Sequence, residues 1–252
     1  MGGTFQALLM VRGEQVIPFS AVSLLLHMNG ADGSTTFTDS SSYATNPSHI
    51  FSWPKISSTS PKFGNGCGSF GVTGAGDNGY LDRSYVSYLD FSSGNFTVQY
   101  WFRSTNSAQV SRRMISFCKA GPSAAADFQY TIAINSGGTL YASVYSGSTG
   151  YTVGSALWST YADGNWHFLE LCRIGNDFFM LIDGSVIGSI TQSITLNTNA
   201  AWLLEIGAIQ PSVSQPYSGY FDDMRLIKGY GLKYTSVPTA QFSDSSVNPT
   251  GG

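Results

Sequence analysis

No stretch of this chain sustains a helical period, and that limits its fold more than any other feature. Short runs rich in aromatic and β-branched residues recur instead, with Gly, Ser, Asn and Asp between them. They read as strands at 22–28 (VSLLLHM), 34–40 (STTFTDS), 48–53 (SHIFSW), 85–91 (YVSYLDF), 95–103 (NFTVQYWFR) and 113–118 (RMISFC). Others follow at 127–134 (DFQYTIAI), 139–146 (TLYASVYS), 166–174 (WHFLELCRI), 177–183 (DFFMLID), 185–190 (SVIGSI), 201–208 (AWLLEIGA) and 220–228 (YFDDMRLIK). Gly175-Asn176-Asp177 and Asp183-Gly184 separate neighbouring runs as short hairpin loops do. Many short strands at this spacing predict an all-β antiparallel sandwich or barrel, with at most one helical turn near 229–235.

Charged residues make up 11% of the chain, against roughly a quarter in an average soluble protein. With a formal net charge of −3 there is no basic field to collect phosphates, so nucleic acid is not an expected partner. Three cysteines, Cys67, Cys118 and Cys172, are odd in number and widely spaced, which fits buried free thiols rather than a disulfide framework or a zinc site. The apolar runs FQALLMV and AVSLLLHM are too short to cross a bilayer, and no basic segment precedes either. We therefore expect no membrane insertion and assembly in a cytoplasm.

Asp222 and Asp223 stand together in the last run. In a regular strand they point to opposite faces, Asp222 with Met224 and Leu226, Asp223 with Phe221, Arg225 and Ile227. They then cannot act as an acid–base pair, and an ion pair of Asp223 with Arg225 is expected. Sandwich-fold glycoside hydrolases need two carboxyl groups flanking the bond they cleave. The three glutamates, Glu14, Glu170 and Glu205, fall in separate segments. Of the three histidines, His27, His49 and His167, none has a nucleophile elbow to serve, and His167 reads as a satisfied sheet residue. The stretch GAGDNG (74–79) matches a dinucleotide fingerprint in letters only, because an alternating run, YLDRSYVSYLDF, follows it where a helix is required. No catalytic, cofactor-binding or metal residue is assigned. Asn29, Asp32 and Asp39 gather oxygens around tight turns that calcium accepts and that Asx turns use equally.

Five segments, in order, resemble the concanavalin-A-like, laminin-G-like jelly-roll domains, in the version common among bacteriophage virion and tail-fibre proteins. They are SLLLHMNGADGSTTFTDSS, PKFGNGCGSF, NFTVQYWFRS, DGNWHFLELCRIGNDFFMLIDGSVIGS and GYFDDMRLIKGYGLKYTSVPTAQF. The resemblance implies two antiparallel sheets packed face to face, a Gly-rich strand near the start, Trp166 opening a central meander, and Phe221–Ile227 pairing with the N-terminal strand. It divides the chain into an N-terminal arm or attachment segment (1–21), a jelly-roll domain (22–243) and a flexible tail (244–252).

The resemblance also implies a non-enzymatic virion structural protein, displayed in several copies on a capsid or tail surface and docked on other virion proteins. The alternatives it leaves open are an adhesin for host surface glycans and, last in order, a sandwich-fold glycoside hydrolase, although the catalytic glutamates of the related glucanases have no counterparts here. Calcium binds some members of the family. WHFLELCRI and DFFMLID are apolar on both faces, which fits either a docked partner or a covering loop. For the adhesin, candidate sugar-stacking aromatics are Tyr43, His49, Phe51 and Trp53 in one stretch and Tyr145, Tyr151, Trp158 and Tyr161 in another.

Overall fold

The computed structural model describes residues 17–51, 54–71, 79–208 and 216–248, with the side chains of 49–51 left aside. Its strands are β1 (Val22–Leu26), β2 (Ser48–Phe51), β3 (Lys55–Ser57), β4 (Cys67–Phe70), β5 (Gly79–Ser84), β6 (Phe96–Arg103), β7 (Arg112–Lys119) and β8 (Phe128–Ile134). There follow β9 (Thr139–Ser146), β10 (Thr149–Leu157), β11 (His167–Ile174), β12 (Asp177–Ile182), β13 (Ser185–Thr191), β14 (Trp202–Ile206) and β15 (Gly219–Lys228). They form two antiparallel sheets. One runs β13-β12-β11-β6-β15-β4-β3, with β1 also on β15; the other runs β10-β9-β8-β7-β14-β5-β2. The expected sandwich, the β11–β13 meander and the pairing of β1 with β15 are all present.

Alternation along the strands builds the core. In β6, Phe96, Val98, Tyr100 and Phe102 face the other sheet and join Tyr130, Ile132, Leu169 and Leu204 in the main apolar cluster. At one margin the two sheets touch through glycine. A Cβ on Gly188 of β13 would lie 2.6 Å from Gly154 Cα and from Val153 O of β10. Any side chain there would force the sheets apart.

Thr97, Gln99 and Trp101, on the opposite side of β6, face a second layer. After β15 the chain runs back across the eight-stranded sheet as a strap (229–248). Its Tyr234, Phe242 and Val247 bury against Trp101, Phe168, Ile227, Val22 and Leu25. Buried polar groups of the sheet receive the strap's backbone. Thr97 Oγ donates to Tyr230 O at 2.9 Å, Glu170 accepts Lys233 and Tyr234 N–H at 2.6 and 3.0 Å, and Asp223 accepts Phe242 N–H at 2.8 Å. The apolar outer face of β11 is thus covered by the chain itself. Within 244–252, expected as a flexible tail, Val247 is buried and bridges Ile17, while Asp244, Ser245, Ser246 and Asn248 are exposed.

The structure corrects several local expectations. Residues 34–40 form no strand beyond a bridge of Asp39 to Leu26. The Asp39 carboxylate instead accepts the N–H groups of Leu25, Ser41 and Thr45 and closes the loop locally. Residues 85–91 turn through a short 3₁₀ segment (Ser87–Leu89) whose alternating letters imitate a strand. No helical turn forms at 229–235, where Gly229 and Lys233 take positive φ and shape the strap. Lys55–Ser57 and Thr149–Leu157 are strands that composition hid, the second behind two glycines. Of the 1–21 arm, residues 17–21 are described. No helix among the described residues is long and apolar enough to cross a membrane.

Candidate functional site

Asp222 and Asp223 do not alternate as a regular strand requires. A bulge between Asp222 and Arg225 inserts one residue, and Asp223 takes a φ of 43°. Phe221, Met224 and Leu226 consequently share the main core. Asp222 Oδ2 accepts Lys62 and Phe63 N–H at 2.7 and 3.2 Å, while Asp223 Oδ1 meets His27 Nδ1 at 2.7 Å. The expected Asp223–Arg225 ion pair is absent among the described residues. Arg225 donates to Gln99 and Tyr234 and lies under the Phe242 ring. Burial pushes the Asp222 carboxyl up to about 7. Both aspartates hold loops onto the sheet, and no substrate-facing pair results.

The glutamates are also structural in their contacts. Glu170 is buried beneath the strap, and Glu205 is buried on the other sheet, where the Cys118 thiol donates to it at 3.1 Å. Glu14 lies outside the described residues, as do Trp53 and residues 74–78. The three thiols are free and buried, and burial raises each pKa, Cys67 to about 12. Asn29 accepts Asn65 N–H, Asp32 accepts Ser58 N–H, and Asp39 caps its own loop. No group of three or more His, Cys, Asp or Glu that could hold a metal occurs among the described residues.

Among the described side chains, Tyr43, Tyr145, Tyr151, Trp158 and Tyr161 make no ring contact with one another, and the side chains of His49, Phe51 and Trp53 lie outside the described residues. Tyr43 stacks on Tyr88 at 3.6 Å, and Tyr145 stacks on Phe128 at 5.2 Å. Tyr151 and Tyr161 lean on the main core. Trp158 is fully buried, its indole N–H held by Asn106 O at 2.8 Å, so it cannot meet a ligand.

What the fold does open is a cleft of about 260 Å³ at the end of β6 and the start of β15. Ser104, Thr105 and Asn106 form one wall, and Ser218, Gly219 and Tyr220 the other. A polar staple fixes their spacing. The Gln109 amide accepts Ser218 N–H at 2.8 Å and donates to Ser218 O at 2.7 Å, while Ser104 Oγ donates to the same carbonyl at 2.9 Å. Gly219 must lack a side chain, because a Cβ would fall 2.5 Å from Arg103 O. Arg103 pairs across from Tyr220, and its guanidinium lies 5.4 Å from the Tyr220 ring centroid.

Arg103 and the Trp166 indole both donate to Ser60 O, which draws a second half-buried aromatic into the neighbourhood. Behind the cleft, Gly164 N–H donates to Ser104 O at 3.0 Å, and the Asp163–Asn165 loop is locked by His167. The result is a fixed pocket of hydroxyls, an amide and a backed aromatic ring. Sequence reading missed it because its walls lie 114 residues apart. Its only local traces are a polar loop after β6 and a Tyr inside the closing strand.

The outline agrees with known proteins. The chain is similar in fold to the binding domain of botulinum neurotoxin DC in complex with rat synaptotagmin II, at a TM-score of 0.59 and 13% identity over 90% of this chain and 50% of that one. The same domain in complex with SialylT gives 0.57 and 13% over the same shares. The serotype G binding domain gives 0.58 and 15% over 84% of this chain and 48% of that one. The chain therefore spans about half the length of these structures. No curated protein matches it. The Laminin_G_3 model, described as the concanavalin A-like lectin/glucanases superfamily, matches residues 75–229, more than half of the chain. The chain belongs to the concanavalin A-like lectin/glucanases superfamily.

Proposed function

We propose that the protein is a non-enzymatic glycan-recognition module and that the cleft between Ser104–Asn106 and Ser218–Tyr220 is where it holds sugar. The observation that carries this reading is the cleft itself: a polar pocket prefixed by Gln109, with the half-buried Tyr220 ring set beside hydroxyl and amide groups. Sugars stack an apolar ring face on aromatics and offer hydroxyls to such groups. The absence of catalysis is part of the proposal. It is supported by Glu170 and Glu205 being buried on different sheets, each engaged by the protein's own groups. The resemblance in fold to toxin binding domains, one of them in complex with SialylT, adds support at the level of architecture.

A glycan array with the wild type, Tyr220→Ala and Asn106→Ala decides this. We expect saturable binding by the wild type and a loss of about tenfold or more in each variant, the effect of losing one stacking or polar contact in a small site. Wild-type binding that both variants retain would place the site elsewhere. The virion setting implied by the sequence resemblance, with other virion proteins as partners and multiple copies, stays a proposal that neither the family match nor the solved structures address. Mass spectrometry of purified virions from the source is its test.

A further inference from the structure

Beneath the strap lies a cavity of about 150 Å³, separate from the cleft, with Arg225 in its wall. Arg225 is 2% exposed. Its Nε and Nη2 donate to Gln99 Oε1 at 3.2 and 2.8 Å, and Nη2 donates again to Tyr234 OH at 3.0 Å. The Phe242 ring covers its face at 3.7 Å. Nη1 makes no hydrogen bond among the described residues. The two carboxylates whose charge reaches Arg225 are Asp223 and Glu170. Both are engaged elsewhere, Asp223 by His27 and Phe242 N–H, Glu170 by Gln99, Lys233 and Tyr234. A second donor in the same wall, Gln241 Nε2, is buried and has no partner. Thr239 and Ser246 line the mouth and are exposed, so the cavity opens to solvent.

The buried Gln241 amide N–H has no acceptor and costs free energy, while Arg225, held through Nε and Nη2, keeps Nη1 as an unused donor on a largely buried cation; one ligand bearing two acceptor oxygens engages both. We propose that this cavity is a carboxylate-binding site, with Arg225 Nη1 and Gln241 Nε2 as its donors. Two N–H groups facing a planar anion is the arrangement that guanidinium and amide groups use for carboxylates. A cavity of about this volume accepts a benzene-sized molecule. The occupant is therefore a carboxyl group with a small substituent, either a free small acid or the acid-bearing end of a saccharide. This inference does not depend on the cleft.

The test is an amide-detected NMR titration of the intact chain, following the Gln241 side-chain NH₂ and the Arg225 Nε–H. The probes are acetate, glucuronate and neutral glucose, each to roughly 10 mM, enough to saturate a millimolar site. Saturable shifts with acetate and glucuronate, and none with glucose, are expected. Equal response to the two acids assigns a free acid, and tighter glucuronate binding assigns an acidic saccharide. Gln241→Leu, which leaves Arg225 and the strap contacts in place, should weaken binding about tenfold, as loss of one hydrogen bond to a charged group does. Arg225→Gln should abolish it where the variant remains folded. Silence from both acids, an equal shift with glucose, or undiminished binding in Gln241→Leu would overturn the assignment.

Discussion

Two histidines in this protein are each held between two aspartates, and the two clamps do different work. His27 meets Asp223 at 2.7 Å and Asp244 at 2.6 Å, joining the end of β1, the β15 bulge and the strap. His167 meets Asp183 at 2.7 Å and Asp163 at 3.1 Å, joining β11 to the loop behind the cleft. Only an imidazolium donates from both ring nitrogens, so both arrangements favour the charged form. In each case burial opposes the charge, but hydrogen bonds and attraction from the two carboxylates outweigh it and hold the pKa above 6.5. Surroundings separate them. Asp223 is fully buried, whereas Asp163 and Asp183 keep side-chain exposures of 41% and 40%. The same three-residue device is a structural rivet in one place and a loop support in the other.

The sharpest way to break the comparison is to remove each imidazole. His27→Leu leaves Asp223 as a buried carboxylate with half its partners gone, and we expect it to cost about 3 kcal/mol. Urea unfolding checks this, and limited proteolysis should show early cutting between 229 and 248. A wild-type midpoint would mean that apolar packing alone holds the strap. His167→Leu removes a pair exposed to solvent, so screening limits its cost to about 1 kcal/mol or less. Its signature should instead be weaker glycan binding, because the Asp163–Asn165 loop leans on Ser104.

Stability should also depend on pH with a definite sign. Groups whose folded pKa is raised contribute fully below their unfolded value and lose that contribution as pH rises through the folded one. Both clamps are therefore complete below about pH 6.5 and weaken above it. Asp222 acts in the same direction, since its neutral form is favoured and folding loses stability as pH climbs from 3.8 through about 7. Asp163 acts oppositely. Held down to about 2, chiefly by the Asn165 N–H, it contributes above 3.8 and fails as pH falls through about 2. Melting temperatures from pH 5 to 9 should fall in the wild type and fall less steeply in His27→Leu, where His167 and Asp222 still titrate.

Asp222→Asn should raise stability at pH 8 by about 1 kcal/mol, by removing a buried charge, with no gain near pH 4. A gain that is the same at both pH values would mean that charge is not its cause.

Much of this was legible in the residues. The run FTVQYWFR alternates core and outer-face positions as written, and the WHFLELCRI, DFFMLID and SVIGSI hairpins follow from their turn residues. Side-chain period and turn chemistry are local properties, and a linear sequence carries them whole. Apolar letters on both faces of WHFLELCRI announced that something covers the sheet; only the folded chain shows that the cover is its own strap. Asp222 and Asp223 misled for a related reason, because a bulge depends on what β1, β6 and the strap require of β15. The cleft was invisible for a plainer one. Ser104 and Ser218 become neighbours only when two sheet strands pair, and no local pattern marks a contact across 114 residues. The sequence determined strands, turns and membership of an all-β class, because those are set within a few residues. The tertiary structure decided which polar side chains are engaged and which still face a cavity, because burial and partnership arise only between distant segments.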